Sequence, residues 1–215
     1  MSTKICIISD THGQHYKFNI PKCDIFIHAG DFMNSGKYLD EIFTFNSWLK
    51  GVPAEHKLIC GGNHDILFET HPDLAKKELS VGTYLQNESI TILGIKFYFA
   101  PQTPEFYDWA FNVPRGEKIK AYWDAIPEDT EILVTHGPPQ GILDEIKPGS
   151  GGQQLGCEEL IKRVKQLPKL KYHIFGHIHG SSGIAPSIFG PTFMNVSALD
   201  EKYRPSTTVI QTISW

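Results

Sequence analysis

Five short apolar runs, each followed by a polar or glycine-containing turn, constrain the fold of this 215-residue chain most strongly. The runs occupy residues 4–9, 24–27, 58–60, 131–135 and 172–175. Uninterrupted apolar runs of this length are typical of strands that are buried on both faces, as in parallel sheets. Segments predicted to be helical lie between them, at residues 38–49, 72–79, 117–125 and 158–167. This order of strands and helices predicts an α/β fold built from βαβ units.

The middle of the chain predicts an antiparallel element as well. Residues 90–93 and 96–100 are apolar runs separated by Gly94 and Ile95, which indicates a tight hairpin. Further strands are expected at 192–196 and 207–213, and a flexible polar loop at 148–152. Most aromatic residues between 97 and 111 are expected in the core, with pocket lining as the alternative for Tyr107, Trp109 and Phe111. The length fits one domain spanning 1–215, although two small domains are also compatible with it.

Composition excludes several classes of partner. A net charge of -4 argues against a protein that binds long nucleic acids through a basic surface. A small anionic substrate is still compatible with this charge, because metal ions can supply positive charge locally. No apolar run approaches the roughly 20 residues that a membrane span requires. We expect no signal peptide, since a strand is predicted within a few residues of the first residue.

The cysteines point to a reducing compartment. The four cysteines form no CxxC pair, and two of them lie in apolar strand-like runs, at Cys6 and Cys60. Buried thiols are therefore expected rather than disulfides, and we expect the protein in the cytoplasm.

Each of the five predicted strand ends carries side chains that can bind metal. They are Asp10 and His12, then Asp31, then Asn63 and His64, then His136, and finally His177 and His179. In open α/β sheets the carboxyl ends of strands gather at one edge, so these residues are expected to meet there. Residues two apart on an extended strand end point to one face, which would pair Asp10 with His12 and His177 with His179. The number of ligands is sufficient for two ions.

Each motif has a simpler interpretation when it is taken alone. The stretch 61–65, Gly-Gly-Asn-His-Asp, is equally a turn, and an isolated histidine such as His136 is usually a surface or core residue. The combination on successive strand ends favours a site. The remaining histidines have no such pattern and are expected to be structural: His15, His28, His56, His71 and His173.

The motif series resembles that of the calcineurin-like metallophosphoesterases, which is DxH, GD, GNH followed by an acid, H, and GHxH. Further similarity, at residues 28–32, 108–116, 135–139 and 141–144, is to the small metallophosphoesterase-domain proteins of the brain-expressed type and their microbial relatives. The resemblance covers nearly the whole chain. It implies a four-layer α/β/β/α sandwich with two mixed central sheets and a two-metal site at one sheet edge.

The resemblance also implies a role for each site residue. One ion would be held by Asp10, His12, Asp31 and His179, and the second by Asp31, Asn63, His136 and His177. His64 would be the catalytic histidine and Asp65 its orienting partner, with Asn63 and His64 contacting the substrate. Imidazole and oxygen ligands without thiolate favour Mn, Fe, Co, Ni or Zn over Mg. We take manganese as the first candidate.

The activity implied is that of a phosphodiesterase acting on a small phosphodiester such as a cyclic nucleotide. Hydrolysis would proceed by attack of a hydroxide that bridges two divalent ions, with His64 as general acid. Alternatives are a phosphomonoesterase or nuclease of the same fold, and a non-catalytic scaffold that binds metal and nucleotide. The expected partner is a small phosphoester, with a nucleotide favoured, and neither long nucleic acid nor membrane is expected; the oligomeric state stays open.

Three departures from the family pattern stand out. The related branch often has Glu where Asp65 stands, and an acid where Gly180 follows the GHxH motif. Protein phosphatase relatives carry an Arg after GD and another after GNH, and this chain has neither. Their absence argues against a protein phosphatase.

Overall fold

The computed structural model describes residues 2–146, 152–187, 190–206 and 210–215. The strands are β1 (Lys4–Ile8), β2 (Cys23–His28), β3 (Ala54–Cys60), β4 (Thr83–Leu85), β5 (Glu88–Ile92), β6 (Ile95–Ala100), β7 (Thr103–Pro104), β8 (Asn112–Val113), β9 (Ile132–Thr135), β10 (Tyr172–Phe175), β11 (Gly183–Ala185), β12 (Thr192–Asn195) and β13 (Gln211–Ser214). The helices are α1 (Leu39–Gly51), α2 (Ile66–Thr70), α3 (Pro72–Glu78), α4 (Glu117–Asp124) and α5 (Glu158–Val164). Short 3₁₀ turns occur at His15–Lys17 and His179–Ser181.

Two large mixed sheets form the centre of the molecule. The first has the order β13-β1-β2-β3-β4, in which β1 to β4 are parallel and β13 runs antiparallel to β1. The second has the order β11-β12-β10-β9-β6-β5, with parallel pairing through its centre and antiparallel strands at both edges. A bridge between Ser9 and Ser197 joins the two sheets just beyond the carboxyl ends of β1 and β12.

Side chains alternate in direction along each strand, and this explains why the two faces of each sheet pack against different layers. Ile5 and Ile7 of β1 pack between the two sheets, whereas Cys6 and Ile8 of the same strand face the helices α1 to α3. The opposite face of the second sheet packs against α4 and α5, around the fully buried Trp123. Because both faces of each sheet are covered, the buried parts of the central strands are largely apolar. The predicted α/β/β/α sandwich is confirmed.

Element boundaries differ from the sequence prediction where local chemistry is ambiguous. The hairpin turn is Leu93–Gly94 rather than Gly94–Ile95, with both residues at positive φ (51° and 80°), as a type I′ turn requires. Strand β3 begins four residues earlier than predicted, because its first half is partly exposed and carries polar side chains. Helix α2 was not predicted at all. Of the polar loop expected at 148–152, residues 148–151 lie outside the described residues, as do 207–209 of the last predicted strand.

The expectation of buried thiols is confirmed, since all four cysteines are buried and free. Among the described residues, no helix combines the length and the apolar character that crossing a bilayer demands.

Candidate metal centre

The five strand ends predicted to carry metal ligands converge at one edge of the sandwich. Three groups of three ligand atoms form there, and within each group all atoms lie within 4.8 Å of one another. The groups are Asp10, His12 and His179; His12, Asp31 and His64; and Asp31, His136 and His177. The five histidines expected to be structural belong to none of these groups.

The first half of the cluster is formed by residues that follow β1 and β10. His179 Nε2 lies 3.4 Å from Asp10 Oδ1 and 3.2 Å from His12 Nε2. His12 Nε2 lies 3.7 Å from Asp31 Oδ2. These nitrogen and carboxylate atoms surround one small volume.

The second half is formed by residues that follow β3, β9 and β10. Asn63 Oδ1 lies 2.9 Å from His136 Nε2 and 2.8 Å from His177 Nδ1. His136 Nε2 is also 3.3 Å from Asp31 Oδ2. The carboxylate of Asp31 therefore faces both halves, which is the position of a bridging ligand.

In two of the histidines, the ring nitrogen that faces away from the cluster makes a hydrogen bond, and this leaves the other ring nitrogen suited to binding a cation. His136 Nδ1 lies 3.2 Å from the carbonyl oxygen of Ala29, and His179 Nδ1 lies 3.1 Å from that of Asp200. A carbonyl oxygen only accepts, so each Nδ1 carries a hydrogen and each neutral ring presents an Nε2 lone pair to the cluster. The Nε2 lone pair of His136 then faces Asn63 Oδ1, which is another acceptor. Acceptors that face one another in this way fit divalent cations between them.

Burial and charge set the protonation of the cluster. Burial lowers the pKa of His12 to about 4 and that of His177 to about 3, which keeps both rings neutral, as metal ligation requires. Burial also lowers the pKa of His136, but the nearby carboxylates of Asp31 and Asp10 outweigh it and raise that pKa to about 9, so a cation that binds Nε2 would displace a proton from it. Burial would raise the pKa of Asp31, and the surrounding histidines reverse this and hold it well below its ordinary value.

The backbone at the candidate ligands is not extended, which corrects one expectation. Asp10, His12, Asp31 and His177 have positive φ angles of 54°, 41°, 56° and 70°. Strand β1 ends at Ile8, β10 ends at Phe175, and His179 opens a 3₁₀ turn. The pairs Asp10/His12 and His177/His179 therefore converge through left-handed turns rather than through strand alternation. Such conformations are uncommon for residues with side chains and cluster at functional sites.

Two glycines allow the strand-end loops to approach the cluster. A Cβ at Gly30, which has a φ of 106°, would lie 2.5 Å from His136 Nδ1 and 2.6 Å from the carbonyl oxygen of Gly61. A Cβ at Gly62 would lie 2.5 Å from the backbone nitrogen of Asp31 and 2.7 Å from His136 Cε1. At both positions any larger residue would push the candidate ligands apart.

The structure corrects the role expected for Asp65. Its buried carboxylate accepts hydrogen bonds from three backbone N–H groups, those of Asp31 (2.9 Å), Met33 (2.9 Å) and Gly62 (2.8 Å). The Nδ1 atom of His64 instead lies 2.6 Å from the carbonyl oxygen of Asn34. The two side chains leave the turn in different directions, with Asp65 in the interior and His64 on the wall of a cavity. Asp65 therefore holds the loops after β2 and β3 together and is not the partner of His64.

A cavity of about 390 Å³ opens beside the cluster. His64 lies on its wall and stacks on Trp109, with ring centroids 4.2 Å apart and an angle of 26° between the planes. Tyr107 and Trp109 line the cavity, as the alternative interpretation of the aromatic segment held, whereas Phe111 is buried in the core. Among the described residues that line it, none is Lys or Arg.

Sequence reasoning missed several residues of the site. Ser197 donates a 2.9 Å hydrogen bond to Asp10 Oδ2, and its place just after β12 is the signal that could have found it. Glu201 and Tyr203 also line the cavity. The segment that carries them shows neither hydrophobic periodicity nor a motif. A Cβ at Gly180 would overlap the carboxylate of Glu201, so the glycine at this departure from the family pattern makes room for that side chain.

Comparison with known proteins agrees with this geometry. Residues 3–181 match the family model described as calcineurin-like phosphoesterase. The chain is 34% identical to human metallophosphoesterase domain-containing protein 1, over 94% of this chain and 68% of the human protein. It is 35% identical to a UPF0046 protein of Caenorhabditis elegans, over 96% of this chain and 73% of the other.

Solved structures share the fold at low sequence identity. A dimetal phosphatase from Danio rerio superposes with a TM-score of 0.56 at 12% identity, covering 91% of this chain and 87% of that one. An archaeal phosphodiesterase superposes with a TM-score of 0.50 at 16% identity, covering 99% of both chains. These similarities establish the architecture.

Proposed function

This chain belongs to the calcineurin-like phosphoesterase family and is a metal-dependent phosphoesterase, and we propose that it hydrolyses small phosphodiesters, with cyclic nucleotides as the first candidates. The observation that carries the proposal is the position of Asp31. Its carboxylate lies between the two halves of a cluster of buried imidazole and oxygen ligands, beside an open cavity. A phosphoester bound in that cavity would meet the cluster directly.

The proposed ligand sets follow the two halves of the cluster. Asp10, His12, Asp31 and His179 would hold one divalent ion, and Asp31, Asn63, His136 and His177 the other. When bound, two such ions would activate the attacking water and offset charge on the phosphoryl oxygens. Manganese is our first candidate, with Fe, Zn, Co and Ni as alternatives.

We assign His64 as the general acid. Its Nδ1 faces the carbonyl oxygen of Asn34, which accepts and does not donate, so Nε2 is the nitrogen that serves the cavity. Because Nδ1–H is bound to that carbonyl, the acid is the imidazolium form of the ring. As the P–O ester bond breaks, its Nε2–H would pass a proton to the departing oxygen, so the ring would become neutral with its hydrogen on Nδ1 and the alcohol would leave neutral. Asn63 and His64 are also the residues we place against the substrate.

The cavities beside the cluster support a phosphodiester as the substrate. A second cavity of about 640 Å³ shares residues of the first one's wall, including Phe106, Ile146 and His177. Together the two cavities provide space for both ester groups of a diester, whereas a monoester has only one. The aromatic side chains of Phe106 and Tyr107 offer faces on which a nucleobase can stack.

Charge and cysteine chemistry support the remaining assignments. A net charge of -4 disfavours long nucleic acids, and so does the wall of the first cavity, where no described residue is Lys or Arg. The second cavity has one such residue on its wall, Arg115, which pairs with Glu158. Four buried free thiols suit a reducing compartment, so we place the protein in the cytoplasm.

The test is a substrate panel with the Mn-loaded protein. It compares bis-p-nitrophenyl phosphate, p-nitrophenyl phosphate and 3′,5′-cyclic nucleotides for the wild-type chain, for Asn63→Ala and for the exposed control Asn19→Ala. We expect turnover of diesters by the wild type and Asn19→Ala, and its loss in Asn63→Ala. Turnover of the monoester alone would identify a phosphomonoesterase. Metal binding without turnover of any ester would identify a scaffold.

A further inference from the structure

We propose that Trp109 is a positioning residue that fixes the ring of His64 for proton transfer, together with the backbone carbonyl of Asn34. The proposal rests on the function proposed above, because it concerns the acid of that reaction. It assigns to an indole ring and a loop carbonyl the orienting role that the sequence pattern suggests for Asp65.

Three neighbours determine the orientation of the His64 ring. Trp109 stacks on one face with its ring centroid 4.2 Å away and an angle of 26° between the planes, and His12 meets the ring edge-on, with a centroid distance of 4.5 Å and an angle of 85°. The carbonyl oxygen of Asn34 accepts from Nδ1 at 2.6 Å. The stack prevents the ring from tilting and the hydrogen bond prevents it from flipping, so Nε2 keeps one direction.

The carbonyl of Asn34 is itself held in place. The carboxylate of Glu41, in the first turn of α1, accepts hydrogen bonds from the backbone nitrogens of Asn34 (2.6 Å) and Ser35 (2.9 Å). It also accepts one from the hydroxyl of Ser35 at 2.5 Å. A fixed helix end therefore anchors the loop that aims His64.

Trp109 is also anchored close to the cluster. The next residue, Ala110, donates its backbone N–H to the carbonyl oxygen of Asn63 at 3.2 Å. Phe111 donates its backbone N–H to Glu69 Oε1 at 2.7 Å, and its side chain is buried. The backbone that carries the indole is thus tied to the same segment that carries Asn63 and His64.

Leaving-group dependence separates a positioning role from a wall of the substrate cavity. A poor leaving group needs the proton of His64, whereas p-nitrophenolate departs without it. For Trp109→Ala we expect kcat on diphenyl phosphate to fall about 10- to 100-fold, and kcat on bis-p-nitrophenyl phosphate to fall less than about 3-fold. KM and metal content should not change, and Trp109→Phe, which still stacks, should restore most of the rate.

Glu41→Ala tests the orientation of the His64 ring independently of Trp109. Because it releases the loop that carries the Asn34 carbonyl, it should give the same selective loss on diphenyl phosphate. Tyr122→Ala removes a partly exposed aromatic side chain from α4, on the other sheet, and serves as the matched control with unchanged kinetics. If Trp109→Ala folds poorly, Trp109→Leu keeps apolar volume without a ring, and its kinetics decide.

A readout that needs no activity is the ring-current shift of His64 in proton–carbon NMR spectra of the zinc-loaded protein. Stacking under the indole moves the His64 ring protons upfield, so Trp109→Ala should move them back, while the exposed His71 serves as reference. Equal losses of kcat on both esters, a rise in KM alone or an unmoved His64 resonance would overturn the proposal. A wild-type chain inactive on every ester would instead refute the proposed function, and the resonance shift would still decide whether Trp109 orients the ring.

Discussion

Replacing Asp65 by asparagine tests the correction that the structure makes to the sequence pattern. The carboxylate receives three backbone N–H groups, two on Oδ2 from Asp31 and Gly62, and one on Oδ1 from Met33. An amide of the same shape can keep its oxygen toward the first two, which places its NH₂ group against the N–H of Met33. One hydrogen bond is then lost outright and the other two are weakened. Burial and the charge of Asp31 raise the pKa of Asp65 well above its ordinary value, and the donated N–H groups oppose this by favouring the ionised form.

The structure sets the size of the effect. A hydrogen bond to a charged group contributes about 1.5–3 kcal/mol, so Asp65→Asn should cost about 3 kcal/mol in the free energy of unfolding. For a chain of this length that corresponds to a fall in Tm of about 6–12 °C. Because the two weakened bonds orient Asp31 and Gly62, metal affinity should also fall about 10-fold or more.

The assays are thermal unfolding by circular dichroism, metal titration calorimetry and kinetics on good and poor leaving groups. We expect Asp65→Asn to lower turnover of diphenyl phosphate and bis-p-nitrophenyl phosphate by the same factor, since His64 keeps its Asn34 partner. Asp144→Asn is the matched control, because Asp144 is equally buried and accepts N–H groups of Gly141 and Gly156 outside the cluster. It should lower Tm without changing metal affinity. Normal stability and metal affinity in Asp65→Asn, with a loss confined to diphenyl phosphate, would refute the correction and restore Asp65 as the partner of His64.

Three further predictions concern the cluster and the core. Gly62→Ala should weaken metal binding by calorimetry about 10-fold or more, because its Cβ would press on Asp31 and His136, whereas Gly51→Ala, with nothing within 4 Å, should not. Burial lowers the pKa of His173 from 6.5 to about 3, so its contribution to stability is complete above pH 6.5 and declines by about 1.4 kcal/mol per pH unit as the pH falls toward 3. Urea unfolding of His173→Gln should therefore show a shallower decline with acid over that window, and an unchanged slope would contradict it. Chelation should abolish ester turnover, and readdition of Mn at about 100 times Kd should restore it and add about 2.7 kcal/mol per bound ion to the free energy of unfolding; turnover that survives chelation would contradict a metal-dependent reaction.

The apolar runs predicted the strands and the α/β class because the strands of this fold are buried on both faces, whereas the four-layer sandwich was implied by the resemblance to a known family. Such strands are uniformly apolar, and they end where polar residues and glycine begin, so their carboxyl ends can be read without an observed structure. Asp10, Asp31 and Asn63 follow parallel strands of the first sheet, and His136 and His177 follow parallel strands of the second, so each set meets at the carboxyl edge of its own sheet. The order of strands along the chain does not by itself place the two edges side by side. Helix α2 escaped prediction because five residues give too little periodicity to recognise.

Side-chain direction within turns could not be predicted in the same way. His64 and Asp65 are neighbours in sequence, and only the dihedral angles of the turn decide that one faces the cavity and the other the interior. The same limit applies to Tyr203, which lines the cavity. The position of its segment depends on contacts with residues that are remote in sequence. Trp109 was ambiguous for a related reason, since an aromatic residue beside a buried segment serves the core or a pocket equally well.

Strain at the candidate ligands and the role of Asp65 have a common explanation. Each left-handed residue with a side chain costs on the order of 1–3 kcal/mol and persists only where its surroundings over-determine it. The backbone N–H groups of the four strained residues all donate hydrogen bonds to residues at this edge of the sandwich. Asp10 donates to the carbonyl of Gly30 (2.9 Å) and His12 to that of Asp31 (3.0 Å). Asp31 donates to Asp65 Oδ2 (2.9 Å) and His177 to Asp10 Oδ2 (3.0 Å). Two of these acceptors are backbone carbonyls of the loop after β2, and one is the side chain of a candidate ligand. Asp65 supplies the remaining acceptor without facing the cluster itself, at the residue placed to bridge the two ions. The acid after the GNH motif therefore stabilises the conformation of Asp31, and through Asp31 it affects both halves of the centre.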